Sequence, residues 1–198
     1  MTTEAKKALD GKIKAMVAAS SPHRVIARRL FLYDFADVFK QDEDRGFQIL
    51  SEICDKYKLP FSAVRVVGSA QTGYSYYSKR DFVSGSSDLD VAIISSSLFQ
   101  EYSQQVYWLT NRYSDGTKFR RVEGVSVVRS FRDYLSSGMF RPDLMPECPL
   151  RTDWFSFFNK LSNKHADLFR NINAGIYLSE GFFEMKNSAI VQEYKAQL

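Results

Sequence analysis

Cysteine and histidine are scarce in this chain of 198 residues, which contains two of each. Cys54 and Cys148 lie far apart, and neither has a partner at the spacing of a metal site, so we expect reduced, structural cysteines. His23 and His165 are also isolated, and we expect surface imidazoles near helix ends. The sequence therefore gives no support to a zinc site, a Ser-His-Asp triad or a Cys-His nucleophile.

Long apolar runs are also lacking, since no stretch of about 18 apolar residues is present to span a membrane. The N-terminal residues 1–7 lack the apolar segment of a secretion signal, so we expect a cytoplasmic protein with no membrane partner. A hydrophobic content of 44% and an aromatic content of 15% argue against disorder. We expect a helical N-terminal segment, residues 1–60, packed on a compact core, residues 61–198.

Two aspartates, Asp88 and Asp90, interrupt an otherwise apolar strand predicted over residues 87–94. Side chains two positions apart on a strand project to the same face, so the carboxylates are expected side by side while Leu89 and Val91 enter the core. Two adjacent like charges need compensation, which a divalent cation with hard oxygen ligands supplies. The spacing therefore predicts a Mg²⁺ (or Mn²⁺) site on Asp88 and Asp90.

A second motif lies upstream, where a strand predicted over residues 61–67 runs into Gly68-Ser69 and ends a few residues later at Gly73. Glycine lets a ligand approach the backbone, the serine hydroxyl adds a donor, and free N–H groups at a helix start favour an anion. The motif predicts a phosphate-binding turn. A P-loop is disfavoured, because the lysine that it requires is absent after Gly73.

The order of strand, Gly-Ser turn, connecting segment and Ser-Asp-hydrophobic-Asp strand resembles the signature of the polymerase-β-like nucleotidyltransferase superfamily, over residues 64–94. The resemblance implies an α/β (α+β) fold with a small mixed sheet flanked by helices. It implies that Gly68 and Ser69 hold the phosphates of an NTP, and that Asp88 and Asp90 hold the metal and carry catalysis. The implied activity is Mg²⁺-dependent transfer of a nucleotide to an acceptor of undefined class: nucleic acid, protein or small molecule.

The segment between the two motifs is longer than in the small members of that superfamily, with eighteen residues between Ser69 and Asp88. We expect residues 76–86 to form an extra loop or hairpin that carries Lys79 and Arg80 toward the site. Together with Gly73 and Ser87, these residues are assigned to nucleotide binding.

The superfamily also has a third carboxylate on a neighbouring strand, and this chain departs from that pattern. Alternating apolar residues predict a strand over residues 171–178, whose other face offers Asn171, Asn173 and Gly175. An asparagine can ligate magnesium, but it brings no charge and cannot act as a general base. The acid is therefore absent or is one of Glu123, Asp143, Glu147 and Glu180. Its absence would indicate a catalytically degenerate nucleotide binder, or an antitoxin-like regulatory partner, of the same fold.

The rest of the sequence predicts helices over residues 3–19, 46–57 and 98–113, from Thr152 or Asp153 to residue 164, and from Ser179 onward, where Met185 is expected in the core. Residues 122–136 predict another helix, although a strand over residues 119–128, which would let Glu123 reach the site, stays open. The spacing of Asp88 and Asp90 recurs in the polar run at residues 42–44, which we interpret as a solvated loop between helices.

Positive charge is concentrated between residues 112 and 141, although the net charge of the whole chain is only +4. This basic surface is a solvated helix face, or it binds the triphosphate, a nucleic acid acceptor or an acidic protein partner. No RRM or zinc-knuckle signature is present. The basic residues are Arg112, Lys118, Arg120, Arg121, Arg129, Arg132 and Arg141.

Overall fold

A computed structural model describes residues 3–75 and 78–195, which form a mixed α/β structure. Tyr76 and Tyr77, at the start of the predicted connecting loop, lie outside the described residues. The helices are α1 (Glu4–Ala18), α2 (His23–Arg28), α3 (Glu43–Tyr57), α4 (Gly68–Thr72), α5 (Ser96–Leu109), α6 (Val128–Ser136), α7 (Pro149–Lys164) and α8 (Glu180–Lys195). In this part of the chain, no helix combines the length and the apolar character needed to cross a bilayer.

A small mixed sheet flanked by helices is present, as the resemblance implies. Its four strands run in the order β1-β4-β8-β7, where β4 is antiparallel to β1 and parallel to β8, and β7 is antiparallel to β8. Two short hairpins, β2-β3 and β5-β6, lie outside this sheet. The strands are β1 (Val64–Val67), β2 (Tyr74–Ser75), β3 (Arg80–Asp81), β4 (Leu89–Ile94), β5 (Arg121–Val122), β6 (Val125–Ser126), β7 (Met139–Phe140) and β8 (Ile172–Tyr177).

The alternation of β4 gives the sheet two different faces. Leu89, Val91 and Ile93 are buried in an apolar cluster with residues of α3, α5 and α7. Ala92, on the opposite face, packs in a second cluster with residues of α1, α2 and α8. Because side chains alternate along a strand, Asp90 lies on the face of Ala92. The position of Asp90 is therefore fixed by burial of its apolar neighbours.

Helices α2 and α8 are joined by a buried charge. The side chain of Glu184 on α8 is 1% exposed and accepts hydrogen bonds from Arg24 and Arg28 on α2. The hydrogen bond from Arg28, assisted by Arg24, outweighs the effect of burial and lowers the pKa of Glu184. This pair of contacts fixes the N-terminal helices on the second apolar cluster.

Two local predictions about acidic residues are wrong. Residues 42–44 are not a loop, because the side chain of Asp42 accepts a hydrogen bond from the backbone N–H of Arg45 and caps α3, whose first turn contains Glu43 and Asp44. Residues 122–136 are not one helix, because Glu123 and Gly124 both have positive φ and form the two-residue turn between β5 and β6. The helix begins only at Val128.

The predicted burial is correct for the two cysteines and wrong for His165 and Met185. Cys54 and Cys148 are buried and free, as expected. His165 does lie at a helix end, but it is buried, and burial together with the charge of Lys164 lowers its pKa. Met185 is 65% exposed, while Phe183 and Glu184 of the same helix are buried. The charged residue takes the core position because the two arginines compensate it.

Candidate functional site

The two sequence motifs meet in space at Gly68 and Asp90. Val67, the last residue of β1, is paired with Asp90 of β4, so Gly68 begins α4 directly beside the aspartate. Gly68 has φ +67°, and a Cβ atom built on it would lie 3.1 Å from Oδ2 of Asp90. Any other residue would be strained and would crowd the carboxylate. The glycine thus allows the turn and the carboxylate to share one small region.

This region opens into a cavity of about 500 Å³. Its lining combines side chains of the sheet with side chains of α6, α7, α8 and the turn after β7. The polar and charged residues of the lining are Asp90, Tyr134, Arg141, Asp143, Asn159, Ser162, Asn171, Asn173, Tyr177, Lys186 and Asn187. Such a mixture of cations, amides and carboxylates suits a polar, negatively charged ligand.

Asp88 lies beside the cavity and already has a protein partner. Nε and Nη2 of Arg170 donate to Oδ1 and Oδ2 of Asp88 at 3.0 and 2.8 Å, and Nδ2 of Asn171 donates to Oδ1 at 3.1 Å. Partial burial acts to raise the pKa of Asp88, but these hydrogen bonds outweigh it and lower the pKa. A cation is therefore not required to compensate this carboxylate.

Asp90 has the opposite electrostatic balance. Burial, followed by the charge of Asp88, raises its pKa, although the positive charge of Arg141 and a hydrogen bond from Asn173 act against the shift. Asn173 is the residue of β8 paired with Asp90 in the parallel register. Asp90 is the carboxylate of the pair whose charge the protein leaves least compensated, so it would gain most from a bound cation.

Two cations flank the ring of Tyr134 at the side of the cavity. The guanidinium of Arg141 lies 4.9 Å and Nζ of Lys186 lies 5.0 Å from the ring centroid. Nε and Nη2 of Arg141 also donate to the two carboxylate oxygens of Asp143, at 3.0 and 2.8 Å. The aromatic ring and the carboxylate hold the two positive groups in place without removing them from the cavity.

Of the other residues predicted to bind a nucleotide, Ser69 follows Gly68 in the short helix α4 and is half-buried. Gly73 ends that helix with φ +75° and packs near Asp37 and Ala5, away from the cavity.

The connecting segment forms the hairpin β2-β3 within the described residues, but Lys79 and Arg80 are exposed there and do not line the cavity. Oγ of Ser87 accepts a hydrogen bond from the backbone N–H of Val83 at 2.9 Å and closes a local turn. Within the described residues, the structure thus brings together Gly68, Asp88 and Asp90, with Ser69 adjacent.

Among the four candidates for a third carboxylate, only Asp143 lines the cavity. Glu123 lies in the exposed hairpin turn, Glu147 pairs with Arg151, and Glu180 is exposed in the first turn of α8. No group of three or more His, Cys, Asp or Glu side chains suited to a metal ion occurs in residues 3–75 and 78–195. The charge of Asp88 acts on Asp90, and Asn173 hydrogen-bonds to Asp90, so these three side chains are neighbours.

Sequence reasoning missed Arg170, Tyr134 and Lys186. Arg170 precedes β8 by two residues, and the parallel register of β4 and β8 brings it to Asp88, which a single sequence does not reveal. Arg141 was noted only as one member of the basic segment.

The arrangement as a whole places a glycine turn, two cations and Asp90 at one cavity, with Asp88 beside it in an ion pair with Arg170. Comparisons with protein-family models, with curated proteins and with solved structures found no significant match to this chain.

Proposed function

We propose that this chain has the polymerase-β-like nucleotidyltransferase fold and transfers a nucleotide from an NTP to an acceptor hydroxyl, with a divalent cation as cofactor. The observation that carries the proposal is the direct approach of Gly68 to Asp90, because two motifs separated in sequence meet at the wall of one polar cavity. If the two short motifs had occurred together by chance, they would have no reason to lie side by side in the fold.

The cavity offers a separate group for each part of the substrate. The backbone at Gly68 is open to a phosphate, and Arg141 and Lys186 supply positive charge to the remaining phosphates. The amide side chain of Asn159, an exposed residue, offers both a donor and an acceptor to a nucleobase. Asp88 and Asp90 would hold the cation, which neutralises charge that develops on the attacking and leaving oxygens.

The reaction makes one bond and breaks one. The acceptor oxygen attacks the α-phosphorus, the bond from that phosphorus to the bridging oxygen breaks, and pyrophosphate leaves while the hydroxyl proton passes to water. The role of this chain is to hold the phosphates in line and to balance their charge. Arg141 and Lys186 can stabilise the negative charge that develops on the leaving pyrophosphate, because both line the same cavity.

A second candidate function is nucleotide binding without transfer, as in a degenerate enzyme or a regulatory partner. Two observations favour it: the position beside Asp90 on β8 is Asn173 instead of an acid, and Arg170 occupies both oxygens of Asp88. Both features reduce the negative charge available to cations. Asp143 is the remaining cavity carboxylate, and Arg141 binds it.

The two candidates are separated by a labelling assay. Purified protein is incubated with each of four α-labelled NTPs, Mg²⁺ or Mn²⁺, and either total RNA or cell extract, beside an Asp88→Ala/Asp90→Ala variant. The matched control is Asp44→Asn/Asp55→Asn, which removes two exposed carboxylates of α3. Label transferred by the wild type and this control, but not by the alanine variant, supports transfer.

Metal-dependent NTP binding without transfer of the label would favour the second candidate, a protein that binds a nucleotide but does not transfer it. Binding is measured by calorimetry with the same variants. Neither label nor binding, in a protein that is folded by circular dichroism, would overturn both candidates.

A further inference from the structure

We propose that a groove along α5, together with the basic segment that follows it, binds single-stranded nucleic acid. The groove has a volume of about 650 Å³ and is formed mainly by α5. Ser96 and Leu178, which also line it, follow β4 and β8. The groove therefore lies at the opposite end of β4 from Asp88, which precedes that strand.

The groove offers aromatic rings to solvent. Trp108 is 73% exposed, and its ring lies 5.0 Å from that of Tyr107 in an edge-to-face arrangement. Tyr113 lies 5.5 Å from Tyr107, and its hydroxyl donates to the backbone carbonyl of Ser103 at 2.8 Å. An exposed ring such as that of Trp108, held between half-buried tyrosines, can bind unpaired bases by stacking, which tolerates any base sequence.

Polar groups accompany these rings. Gln100, Ser103 and Gln104 line the same groove, and no charged side chain is part of the described lining. The amide groups of Gln100 and Gln104, which are exposed residues, can donate to and accept from base edges.

The neighbouring segment, residues 112–132, supplies the positive charge that a phosphate backbone needs. It contains six basic and two acidic residues, which gives a net charge of +4, equal to that of the whole chain. The basic side chains are exposed, and within the described residues none of them forms an ion pair. They are Arg112, Lys118, Arg120, Arg121, Arg129 and Arg132.

This basic segment is attached directly to the groove. Nη2 of Arg132 donates to the backbone carbonyl of Tyr113 at 2.5 Å, and the ring of Tyr113 lies 6.2 Å from that of Phe131. Phe119 packs on Phe131 with ring centroids 5.1 Å apart. The buried rings therefore hold the exposed arginines beside the aromatic groove.

The chain that joins groove and basic segment is strained. Asn111, Arg112 and Tyr113 have φ of +45°, +61° and +62°, three successive residues in the left-handed region without a glycine. Arginine and tyrosine rarely adopt this conformation, and strain of this kind tends to occur at binding sites. The strained residues Arg112 and Tyr113 lie where the groove meets the basic segment.

A single-stranded nucleic acid fits these features better than an acidic protein does. An acidic peptide would use the cations but not the array of exposed rings and amides. Bases can stack on Trp108 and Tyr107 while phosphates contact the arginines. The proposal does not depend on nucleotidyl transfer, because the groove and the cavity share no described residue.

The test is the binding of a fluorescein-labelled oligouridylate of about twelve nucleotides, without NTP or divalent cation. We expect micromolar affinity that falls as salt rises from about 50 to 200 mM. Trp108→Ala should weaken binding about tenfold, and Arg120→Gln/Arg121→Gln should weaken it and reduce its salt dependence. The matched controls are Phe47→Ala and Lys160→Gln, exposed residues elsewhere, which should bind as the wild type does.

Intrinsic fluorescence gives a second readout. The chain has two tryptophans, and Trp154 is buried at the wall of the cavity, so the quenching by unlabelled oligouridylate that is lost in Trp108→Ala reports on Trp108. Three results would overturn the proposal: no binding at about 100 µM, equal affinity for polyglutamate, or wild-type affinity in Trp108→Ala. If the wild-type protein binds an NTP but not oligouridylate, the result counts against this groove alone. If it binds oligouridylate but not an NTP, the result counts against the cavity alone.

Discussion

Arg170 binds Asp88 through two parallel hydrogen bonds, so the first aspartate of the strand motif is compensated by the protein itself. The sequence analysis expected a divalent cation to balance the charges of Asp88 and Asp90. In the structure the two aspartates have different surroundings, because Arg170 compensates the charge of Asp88 while Asp90 lines the cavity and has a raised pKa. A cation bound between the two aspartates must therefore compete with Arg170 or share Asp88 with it.

Replacing Arg170 should strengthen metal binding. In Arg170→Gln, the carboxylate of Asp88 loses its charged partner and becomes free to ligate Mn²⁺. The arginine of this ion pair is exposed to solvent, which screens the pair, so we expect no more than about fivefold tighter binding. Mn²⁺ titration followed by electron paramagnetic resonance measures it. Arg45→Gln is the control, because Arg45 pairs with Asp42 and Asp167 away from the cavity. Unchanged or weaker Mn²⁺ binding would remove Asp88 from the metal site.

Replacing Asp90 should stabilise the fold at neutral pH. Burial and the charge of Asp88 raise the pKa of Asp90 above its unfolded value, so its ionised form destabilises the native state. This cost is present at neutral pH and disappears as the pH falls below about 3.9, the ordinary pKa of aspartate. Asp90→Asn should therefore raise the free energy of unfolding at neutral pH, by an amount that solvent screening keeps small because Asp90 is an exposed residue, and lose this advantage in acid.

Urea denaturation at several pH values measures the effect of Asp90→Asn. Asp88→Asn serves as the comparison, because the pKa of Asp88 is lowered and its substitution should give no gain in stability. A stabilised Asp88→Asn variant, or an Asp90→Asn variant no more stable than the wild type, would contradict this electrostatic assignment.

The sequence predicted the central elements but not their neighbours. Alternation of apolar residues was sufficient for β4 and β8, because burial on one face leaves a period of two in the sequence. It was not sufficient for residues 121–126, where apolar residues suit either a helix or a hairpin and the turn at Glu123 and Gly124 decides. The cavity residues Tyr134 and Lys186 come from α6 and α8, and only tertiary packing brings them together. Such contacts between distant segments leave no pattern in a single sequence.

Removing the buried charge of α8 should destabilise the protein. Glu184→Gln leaves Arg24 and Arg28 without a carboxylate, and we expect a loss of about 2 kcal/mol, less than for a fully buried pair because both arginines are half exposed. Since the pKa of Glu184 is lowered, its contribution is present above the ordinary pKa of glutamate and is lost as the pH falls through the lowered value. Thermal unfolding at neutral pH measures it, and the exposed Glu180→Gln should be nearly neutral.

Relieving strain at the end of α5 should raise stability at the expense of binding. Arg112 has φ +61°, so Arg112→Gly should stabilise the fold by about 1 kcal/mol. The same change removes a cation next to the aromatic groove and should weaken binding of oligouridylate. Lys58→Gly is the control, because Lys58 ends α3 with φ +55°. It should give a similar gain in thermal stability with no change in RNA affinity. A stabilised Arg112→Gly variant with full RNA affinity would separate the strain from the groove.

The most direct test of the proposed nucleotide site is to add a single methyl group at Gly68. In Gly68→Ala, the new Cβ lies 3.1 Å from Oδ2 of Asp90 and the backbone is held at φ +67°, so we expect a loss of about 1 to 2 kcal/mol in stability and at least tenfold weaker NTP binding. Gly124→Ala isolates the backbone cost, because Gly124 has φ +80° and no atom within 4 Å of a built Cβ.

Calorimetry with an NTP and Mn²⁺ separates these two effects. Gly124→Ala should lose stability but bind the NTP as the wild type does, since only conformational strain is added. If Gly68→Ala behaves in the same way, its methyl group disturbs neither phosphate nor carboxylate, and Gly68 is no more than a turn between β1 and α4. A selective loss of NTP binding in Gly68→Ala would instead mean that the ligand needs the space beside Asp90, as a phosphate held at that turn does.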